Sequence, residues 1–546
     1  MKNIVRCFIL ITGFLCSVSG YSQRSSDELP RSFMAKDLSM NIPRMQMATA
    51  DNELLKAEDR QDQDKSNPLR IGIFQPANYS MNNSGMTDLL QDGGTLWRLV
   101  IHSPGAFATS VVLSECHIPE GSDIYIYDPS RETIIGKYTS EMLEDQELLS
   151  DDLPGDELVI EYYQPADATF NGSFKITQIG HHYRNVFTTR GILGDADGNC
   201  HLNVACPEAQ EWIDQINSVV CIRMDVTSGP NAGMYVCSGA MINNVRKDKT
   251  PYVLTAGHCY IPNSTYHFYF NYQTSTCDGT SGNYQSVRGG VTRAMDIKVT
   301  GSDFMLLEIT GTISEAVRRD LYFAGWDNRE NSPGTSVCIH HPGGDYKKIS
   351  FPRLVFSANN IFWQVNWKTR QANQGTTEQG SSGSPLFNSR KRIVGDLCCG
   401  NSACSYPQGY DNFAKFSRSW TNNENPDPAQ KLQPWLDPDN TGTKFMDGMY
   451  YNNQESKNKS VADSDIRKDF DIFPNPSPGQ LTIEGDFINT HLQCKVYDLL
   501  GKLLYNETIA NDSPISLELH DLESGVYFVE IIDGSVSQKS KLIIGK

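Results

Sequence analysis

Residues 255–259 read TAGHC and follow the apolar run PYVL, a pattern typical of a buried strand that ends at a histidine. Two other segments also place one reactive side chain beside an apolar strand: GSDFMLLEI at 301–309 and EQGSSGSPLF at 378–387. Asp303 precedes the strand in the first, and Ser382 lies in a glycine-rich turn in the second. Short strand-like runs separated by glycine and proline turns predict a mainly β domain around them.

These three side chains are the types that nucleophilic catalysis requires. A serine that attacks an amide needs a base to accept its proton and return it to the leaving amine, and the base needs a carboxylate to orient it. A glycine-rich turn presents backbone N–H donors to an oxyanion without side-chain obstruction. Each residue alone has an ordinary structural explanation, but the chain order His258, Asp303, Ser382, with a cysteine next to the histidine, favours a catalytic triad.

TAGHC resembles the histidine motif of the trypsin-like serine proteases, and GSSGSP stands where that family has GDSGGP. The resemblance implies a double β-barrel with His258 as base, Asp303 as orienting acid and Ser382 as nucleophile. It also implies an oxyanion hole formed by the backbone N–H groups of Gly380 and Ser382. Over residues 195–449 the chain is most similar to the bacterial lysyl endopeptidases. That similarity is carried by TAGHC, SDFMLLE, GSSGSPLF, DGNCHLNVACPE (197–208), NYQTSTC (271–277), FAGWD (323–327), IHHPGGDYKKIS (339–350) and WLDPDNTGTKFMDG (435–448).

Two departures from trypsins concern activation and specificity. Ser381 precedes the nucleophile where trypsins carry an aspartate that captures a freed N-terminus, so activation must work differently. Thr376 stands where trypsins hold the carboxylate of the specificity pocket. In lysyl endopeptidases this carboxylate comes from an aspartate in a segment that resembles GYDNFAKF, which implies Asp411 here; Asp396 is the next candidate.

A third departure concerns the stacked tryptophan and histidine of that family. The position expected to hold the histidine is Cys398, and neither Trp363 nor Trp367 is a clear match for the tryptophan. The resemblance also implies three disulfides and leaves Cys221, Cys338, Cys398 and Cys399 unassigned. The implied pairs are Cys200–Cys404, Cys206–Cys277 and Cys237–Cys259.

Export fits the cysteine usage and the N-terminus. Ten of the fourteen cysteines lie between Cys200 and Cys404, a clustering that favours disulfides over metal thiolates in an exported chain. Residues 1–22 combine a basic start, an apolar core and small residues, as a signal peptide does. No later stretch resembles a membrane span. The net charge of −18 argues against nucleic-acid binding.

We expect no cofactor and no metal site. The pairs His181–His182 and His340–His341 are candidate metal ligands, but neighbouring strand residues point to opposite faces, so a structural role is favoured for both.

Composition divides the rest of the chain into modules. Residues 24–67 are polar and predict a mobile leader, which is followed by short strands up to about residue 183. Residues 23–190 resemble the propeptide of the same proteases, which implies a folding chaperone or inhibitor; a substrate- or surface-binding module is the alternative. The protease domain is predicted at 191–450 and a polar linker at 451–468. Removal of the propeptide at Arg190 would need another protease or relaxed specificity, whereas a lysine-specific enzyme would more naturally use Lys175.

Residues 469–546 predict a final β module, an immunoglobulin-like β-sandwich. Its segments FPNPSPG, VYDLLGK and SGVYFV resemble the sorting domain of the Bacteroidetes type IX secretion system. This implies passage through the outer membrane, contact with the secretion machinery, and release or attachment at the cell surface. An immunoglobulin-like, carbohydrate-binding sandwich is the alternative.

The leading functional prediction is a secreted endopeptidase that cuts protein and peptide substrates after lysine. The same triad is compatible with cleavage after arginine, after both basic residues or after glutamate. A protease-like protein that only binds partners is a third hypothesis, disfavoured because all three triad residues are present.

Overall fold

The structure is a computed structural model that describes part of the chain. The predicted signal peptide up to residue 21, the junction of residues 190 and 191 and the linker from residue 453 lie outside that part. The described residues are 22–23, 28–36, 38–59, 65–143, 145–186, 200–279, 282, 284–297, 301–367, 375–421, 427–452, 470–485, 491–499, 501–510, 515–533 and 536–545.

The prediction of a mainly β protein is confirmed, because strands account for most of the regular structure. The chain forms two compact units, one of residues 1–56 and 72–185 and the other of residues 57–71 and 186–546. The short stretch 57–71 therefore belongs with the predicted protease domain, although it lies far from that domain in sequence.

The first unit contains two groups of strands over one apolar core that includes Leu99, Ile126 and Ile176. One sheet has the order Ser22–Gln23, Thr133–Tyr138, Asp123–Tyr127, Glu157–Gln164, Thr95–His102 and Arg44–Gln46, with Met86–Leu89 also paired to Thr95–His102. In the other group, Ala108–His117 pairs with Leu148–Leu149, Leu153–Pro154 and Ser173–His182, and Ser173–His182 also pairs with Leu69–Ser80 from Gly72 onward.

The predicted mobile leader contains regular structure instead. Arg31–Met34 and Asn52–Asp59 are helices, and Arg44–Gln46 adds a parallel strand beside Thr95–His102. These elements have three to eight residues, too few for hydrophobic periodicity to distinguish them from a polar loop.

The second unit contains the three segments singled out in the sequence, distributed over two sheets. Buried apolar side chains such as Ile222, Phe268 and Met305 fill the interior of the first sheet. Its strands are Val219–Val226, Gly233–Met241, Tyr252–Ala256, Thr265–Phe270, Gln285–Arg288, Gly290–Asp296 and Phe304–Ile309.

The second sheet of this unit carries the serine turn and the segment around Asp411. Its strand order is Leu202–Asn203, Lys348–Ser350, Val337–His340, Pro385–Phe387, Ile393–Gly400, Tyr410–Lys415, Phe362–Trp367 and Pro352–Ser357. Trp326–Asp327 pairs with both Ile393–Gly400 and Phe445–Met446, and Tyr322–Phe323 pairs with Met449–Tyr450.

The C-terminal residues form two small antiparallel sheets around a core that includes Ile483, Val496 and Val529. Phe470–Phe473, Gln480–Gly485 and Ile515–Glu518 form the first sheet, and Leu503–Ala510, His491–Tyr497, Gly525–Asp533 and Val536–Ile544 form the second.

The helices in the described part of the chain have three to eight residues. Among the described residues, no helix has the length and apolar character needed to cross a bilayer. The remaining α-helices are Ile213–Ile216, Glu315–Arg318, Phe416–Thr421 and Gln433–Leu436, and the 3-10 helices are Ser140–Met142, Pro207–Trp212, Gly257–Cys259, Pro342–Gly344 and Pro428–Gln430.

Candidate active site

Strand pairing brings His258 and Asp303 together. Tyr252–Ala256 and Phe304–Ile309 are antiparallel neighbours, with Ala256 opposite Phe304. The residues just beyond this pair are therefore also neighbours. The carboxylate of Asp303 accepts the backbone N–H of His258 through Oδ1 and lies 2.9 Å from the ring Nδ1 through Oδ2. Because Nδ1 is engaged in this way, Nε2 is the ring nitrogen left for a serine.

The turn that carries His258 is held in place by its neighbours. A disulfide joins Cys259 to Cys237 on the adjacent strand. A Cβ at position 257 would collide with the carbonyl oxygen of Asp296, so only glycine fits there. These constraints limit the movement of the imidazole relative to the buried Asp303 carboxylate.

The turn around Ser382 is anchored to both sheets. Ser238 of the first sheet binds it twice: its N–H donates to the carbonyl of Ser382 at 2.8 Å and its hydroxyl donates to the carbonyl of Gly380 at 2.9 Å. From the other side, the N–H of Gly383 donates to Leu397. Gly380 has φ 84°, a left-handed conformation that favours glycine. The anchors fix the orientation of the two N–H groups expected to form the oxyanion hole.

The hydroxyl of Ser382 contacts a residue from the leader. Its Oγ donates to the backbone carbonyl of Lys65 at 3.1 Å. Nε2 of His258 is buried and has no hydrogen-bond partner among the described residues. A lysine carbonyl thus lies at the position expected for the nucleophile's target.

Asp411 lies at the bottom of a buried polar pocket and is fully inaccessible to solvent. Its Oδ1 is 2.7 Å from the ammonium nitrogen of Lys65, which is only 3% exposed. The same ammonium donates to the hydroxyls of Thr377 at 2.8 Å and Ser402 at 3.1 Å. One carboxylate and two hydroxyls therefore satisfy all three N–H groups of a buried lysine.

The same two hydroxyls and one indole N–H fix the second oxygen of Asp411. Its Oδ2 accepts from Trp367 Nε1 at 2.6 Å, from Thr377 Oγ1 at 2.5 Å and from the hydroxyl of Ser402. The pocket residues that the resemblance implies do not include Trp367, Thr377 or Ser402, and Trp367 is no clear match for the family's stacked tryptophan. The sequence signal for Trp367 is the alternation of apolar and polar residues in FWQVNW (362–367), which predicts a strand. It does not predict that this strand pairs with Tyr410–Lys415, which carries Asp411.

Thr376 and Asp396 take no part in holding this ammonium. The hydroxyl of Thr376 is buried without a partner among the described residues. Burial, followed by the nearby Asp303 carboxylate, raises the pKa of Asp396 well above its ordinary value. We therefore expect Asp396 to be protonated and uncharged, unlike a carboxylate that binds a cation.

Ser381 is linked to a buried histidine. Its hydroxyl lies 2.7 Å from Nδ1 of His340, whose Nε2 lies 2.8 Å from the hydroxyl of Ser350. Burial, assisted by nearby cationic groups, lowers the pKa of His340 well below its ordinary value, so the ring is neutral. The Ser350 hydroxyl donates onward to the carbonyl of Thr376, so every hydrogen in the chain has an acceptor. The residue that replaces the trypsin aspartate is thus held by neutral hydrogen bonds.

The structure contains the three implied disulfides, Cys200–Cys404, Cys206–Cys277 and Cys237–Cys259. The cysteines left unassigned from the sequence are unbridged. Cys398 and Cys399 have their sulfur atoms 2.9 Å apart. This contact, burial and the nearby Asp303 raise the pKa of Cys398 far above the ordinary range, so it is a neutral thiol.

The histidine pairs considered as metal ligands bind other protein groups. His182 Nε2 lies 2.7 Å from Asp152, and His181 contacts Ser103 and Asn52. His341 Nδ1 lies 2.9 Å from the carbonyl of Asp345. Among the described residues, Cys200, His201 and Cys404 could converge on an ion, but both sulfurs are joined in a disulfide.

Burial beside the pocket gives stability a pH dependence that a variant can test. Burial raises the pKa of Glu378 to about 7. An acid with a raised pKa in the folded state contributes stability below its unfolded pKa of about 4.3, and this contribution is lost as pH rises towards 7. We expect Glu378→Gln to make the fall of Tm between about pH 4.5 and 7 shallower, because glutamine has no proton to lose in this range. The fold should be kept, since the amide oxygen still accepts from Cys404 N–H. The exposed control Glu132→Gln should follow the unmodified protein, and parallel Tm curves for all three proteins would contradict the assignment.

Comparison with known proteins finds that two parts of the chain are similar to family models. Residues 194–414 match the family model of the lysyl endopeptidase C-terminal domain, and residues 471–545 match that of the secretion system C-terminal sorting domain. Both resemblances noted in the sequence are thereby confirmed, and the sorting domain directs the chain to the cell surface or beyond.

Individual proteins similar to this chain include one curated relative and several solved structures. A lysyl endopeptidase of Pseudomonas aeruginosa is 25% identical over 287 residues, which are 48% of this chain and 60% of the relative. The chain thus aligns with somewhat less than two thirds of that protein. Among solved structures, human heparin binding protein is 17% identical over 40% of this chain and 96% of its own, with a TM-score of 0.28. The structure of GrC is 13% identical over 39% and 92%, also with a TM-score of 0.28.

Proposed function

We propose that this protein is an exported serine endopeptidase that cleaves peptide bonds on the carboxyl side of lysine through an acyl-enzyme. One observation carries the proposal: a lysine ammonium meets Asp411 in a buried pocket while the carbonyl of that same lysine meets the hydroxyl of Ser382. A single residue thus reaches both the specificity pocket and the nucleophile.

In the proposed mechanism, His258 takes the proton of Ser382 as Oγ attacks the carbonyl carbon. The Asp303 carboxylate holds Nδ1 and stabilises the imidazolium that forms. The N–H groups of Gly380 and Ser382 stabilise the oxyanion, and the imidazolium then protonates the leaving amine. Water activated by the same imidazole hydrolyses the ester and restores the serine.

The pocket geometry favours lysine over arginine. Its three oxygen acceptors lie 2.7–3.1 Å from one nitrogen atom, which suits a compact ammonium. A guanidinium is longer and planar, so its terminal nitrogens would be forced against Asp411, whose second oxygen is already held. An uncharged substrate side chain would leave the Asp411 carboxylate without a cation, and an unpaired charge in this buried pocket costs several kcal/mol. Uncharged residues should therefore also be poor substrates.

Digestion of a denatured protein mixture, followed by mass spectrometry of the new termini, tests the proposal. We expect new C-termini to be lysine, with arginine at least ten times rarer after correction for abundance. If the new C-termini were frequently arginine or glutamate, the proposal of lysine specificity would be wrong, and the enzyme would cut after arginine, after both basic residues or after glutamate. No cleavage by a correctly matured protein would favour a protein that only binds partners.

The proposed domain division assigns residues 23–190 to a propeptide, 191–450 to the protease and 469–546 to the sorting domain, which would contact the secretion machinery. We expect the extracellular enzyme to end within or near residues 451–468, because a sorting domain has no role after export. Intact-mass measurement of protein from the medium, compared with the cell-associated form, tests this. Retention of Lys546 in the extracellular protein would contradict it.

A further inference from the structure

Lys65 belongs to the leader, yet it occupies the pocket that the proposed function assigns to substrate. Its ammonium contacts Asp411, Thr377 and Ser402, and its carbonyl accepts from Ser382 Oγ. Lysine is normally among the most exposed residue types, and burial of its charge is tolerated only when it is paired. The fit therefore goes beyond accidental proximity, because three pocket groups match the three donors of one side chain.

The chain continues from Lys65 through the cleft beside the candidate base. Residues 67–70 line one wall of this cleft, and Tyr235, His258, Tyr260 and Gln379 line it as well. Arg70 is held there by ion pairs to Glu58 and Asp59 at 3.0 and 2.9 Å. The residues after Lys65 thus lie on the same side as His258, where a leaving amine must be protonated.

We propose that Lys65–Ser66 is a processing site that the enzyme cuts in its own chain, and that Lys65 closes the specificity pocket until the cut is made. The proposal rests on the proposed function, because it uses the same triad and the same lysine pocket. Beyond the proposed function, it specifies which peptide bond is cut, far upstream of the predicted propeptide boundary at residues 190 and 191. It also specifies that the cut takes place within one molecule.

The reaction balances as an ordinary hydrolysis. Ser382 Oγ bonds to the carbonyl carbon of Lys65 and its proton passes through His258 to the nitrogen of Ser66. The bond between Lys65 and Ser66 breaks, which leaves an ester at Ser382 and a new N-terminus at Ser66. One water hydrolyses the ester, Lys65 gains a carboxylate and the serine recovers its proton.

The backbone of Lys65 makes this first cut slower than ordinary turnover. Lys65 has φ 58°, in the left-handed region that residues with a side chain rarely adopt. It must leave this conformation to bind as an extended substrate. The uncut segment therefore inhibits before it reacts, and we expect conversion over a measurable time course.

Lys175 offers a contrast within the same chain. It is 51% exposed on its side chain, but its strand Ser173–His182 is hydrogen-bonded to neighbours on both sides. A substrate segment must be free to lie extended in the active site, so Lys175 is a poor site for self-processing in the folded precursor. Lys175→Gln is therefore a matched control for Lys65→Gln.

The test follows full-length precursor made by cell-free synthesis, with N-terminal sequencing and intact mass at successive times. We expect a terminus at Ser66 to appear with a first-order rate that is unchanged by twentyfold dilution. Ser382→Ala and Lys65→Gln should each abolish it, whereas Lys175→Gln should not. Absence of this terminus, its appearance in Ser382→Ala, or a rate proportional to concentration would overturn the proposal.

A binding measurement tests pocket closure separately. The probe is a fluorescently labelled Nα-acetyl-lysine amide, which keeps a free side-chain ammonium. The Ser382→Ala precursor should bind it at least ten times more weakly than the double variant Ser382→Ala/Lys65→Gln. Equal affinities would overturn occupation of the pocket by Lys65. Lys65→Gln precursor, whose specificity pocket should be open, also receives a denatured protein substrate. Cleavage after lysine by this precursor, with no Ser66 terminus from the unmodified precursor, overturns only self-processing. Cleavage elsewhere, or none, by the Lys65→Gln precursor overturns the proposed function.

Discussion

Ser382→Ala should reduce peptide hydrolysis by about 10⁴-fold or more while the protein still folds. The hydroxyl is the proposed nucleophile, and the donors expected to stabilise the oxyanion are backbone groups that the substitution leaves in place. The carbonyls of Gly380 and Ser382 keep their hydrogen bonds to Ser238, so the turn should retain its shape. The measurement is kcat/KM on a lysine ester and on a lysine peptide, with thermal unfolding monitored in parallel.

Ser381→Ala is the matched control, one residue away. It removes the hydroxyl that binds His340 Nδ1 and the N–H of Glu378, so we expect a loss of about 1–3 kcal/mol in the free energy of unfolding. Activity should fall far less than in Ser382→Ala. Comparable activity of a correctly matured Ser382→Ala enzyme would remove Ser382 from the mechanism.

Asp411→Asn should reduce kcat/KM for cleavage after lysine by two or more orders of magnitude. The substitution keeps the shape of the side chain but removes the charge that compensates a buried ammonium. Most of the loss should appear as lost transition-state binding. Esters of uncharged residues should be cleaved at least as fast as before, because the triad is untouched and no buried carboxylate is left unpaired. Rates for lysine, arginine and norleucine esters of the same peptide separate these effects.

Asp396→Asn is the control for this experiment. Asp396 is expected to be protonated already, so an amide of the same size should leave the preference for lysine unchanged. A retained lysine preference in Asp411→Asn, together with its loss in Asp396→Asn, would place the pocket charge at the other carboxyl. A supporting variant is Gly400→Ala, whose new Cβ would collide with Oδ1 of Asp411.

Local motifs predicted the parts of the site that lie close to a recognisable turn. The mainly β fold and both family resemblances are confirmed, because strand alternation and glycine-rich turns are encoded within a few residues. The meeting of His258 with Asp303 follows from the pairing of the two strands that flank them. The catalytic roles themselves stay predictions until the variants are measured.

Long-range contacts could not be predicted in this way. Trp367 and Ser402 reach Asp411 because three strands of one sheet bring distant segments together, and no local pattern specifies that order. The burial of Lys65 could not be predicted for a different reason, because Lys65 lies in a polar stretch whose composition predicts an exposed leader. Burial of such a residue depends on a cavity built by residues more than 300 positions later.

The neutral link between Ser381 and His340 has a consequence for alkaline conditions. An activation switch that relies on a free α-amino group fails as that group loses its proton, with an ordinary pKa of about 7.7–8.0. The hydroxyl–imidazole link has no cation to lose in that range, because burial already keeps His340 unprotonated. The conformation of the serine turn should therefore persist in strongly basic media. It should also be indifferent to ragged trimming of the mature N-terminus, so a population with mixed starting residues would remain uniformly active.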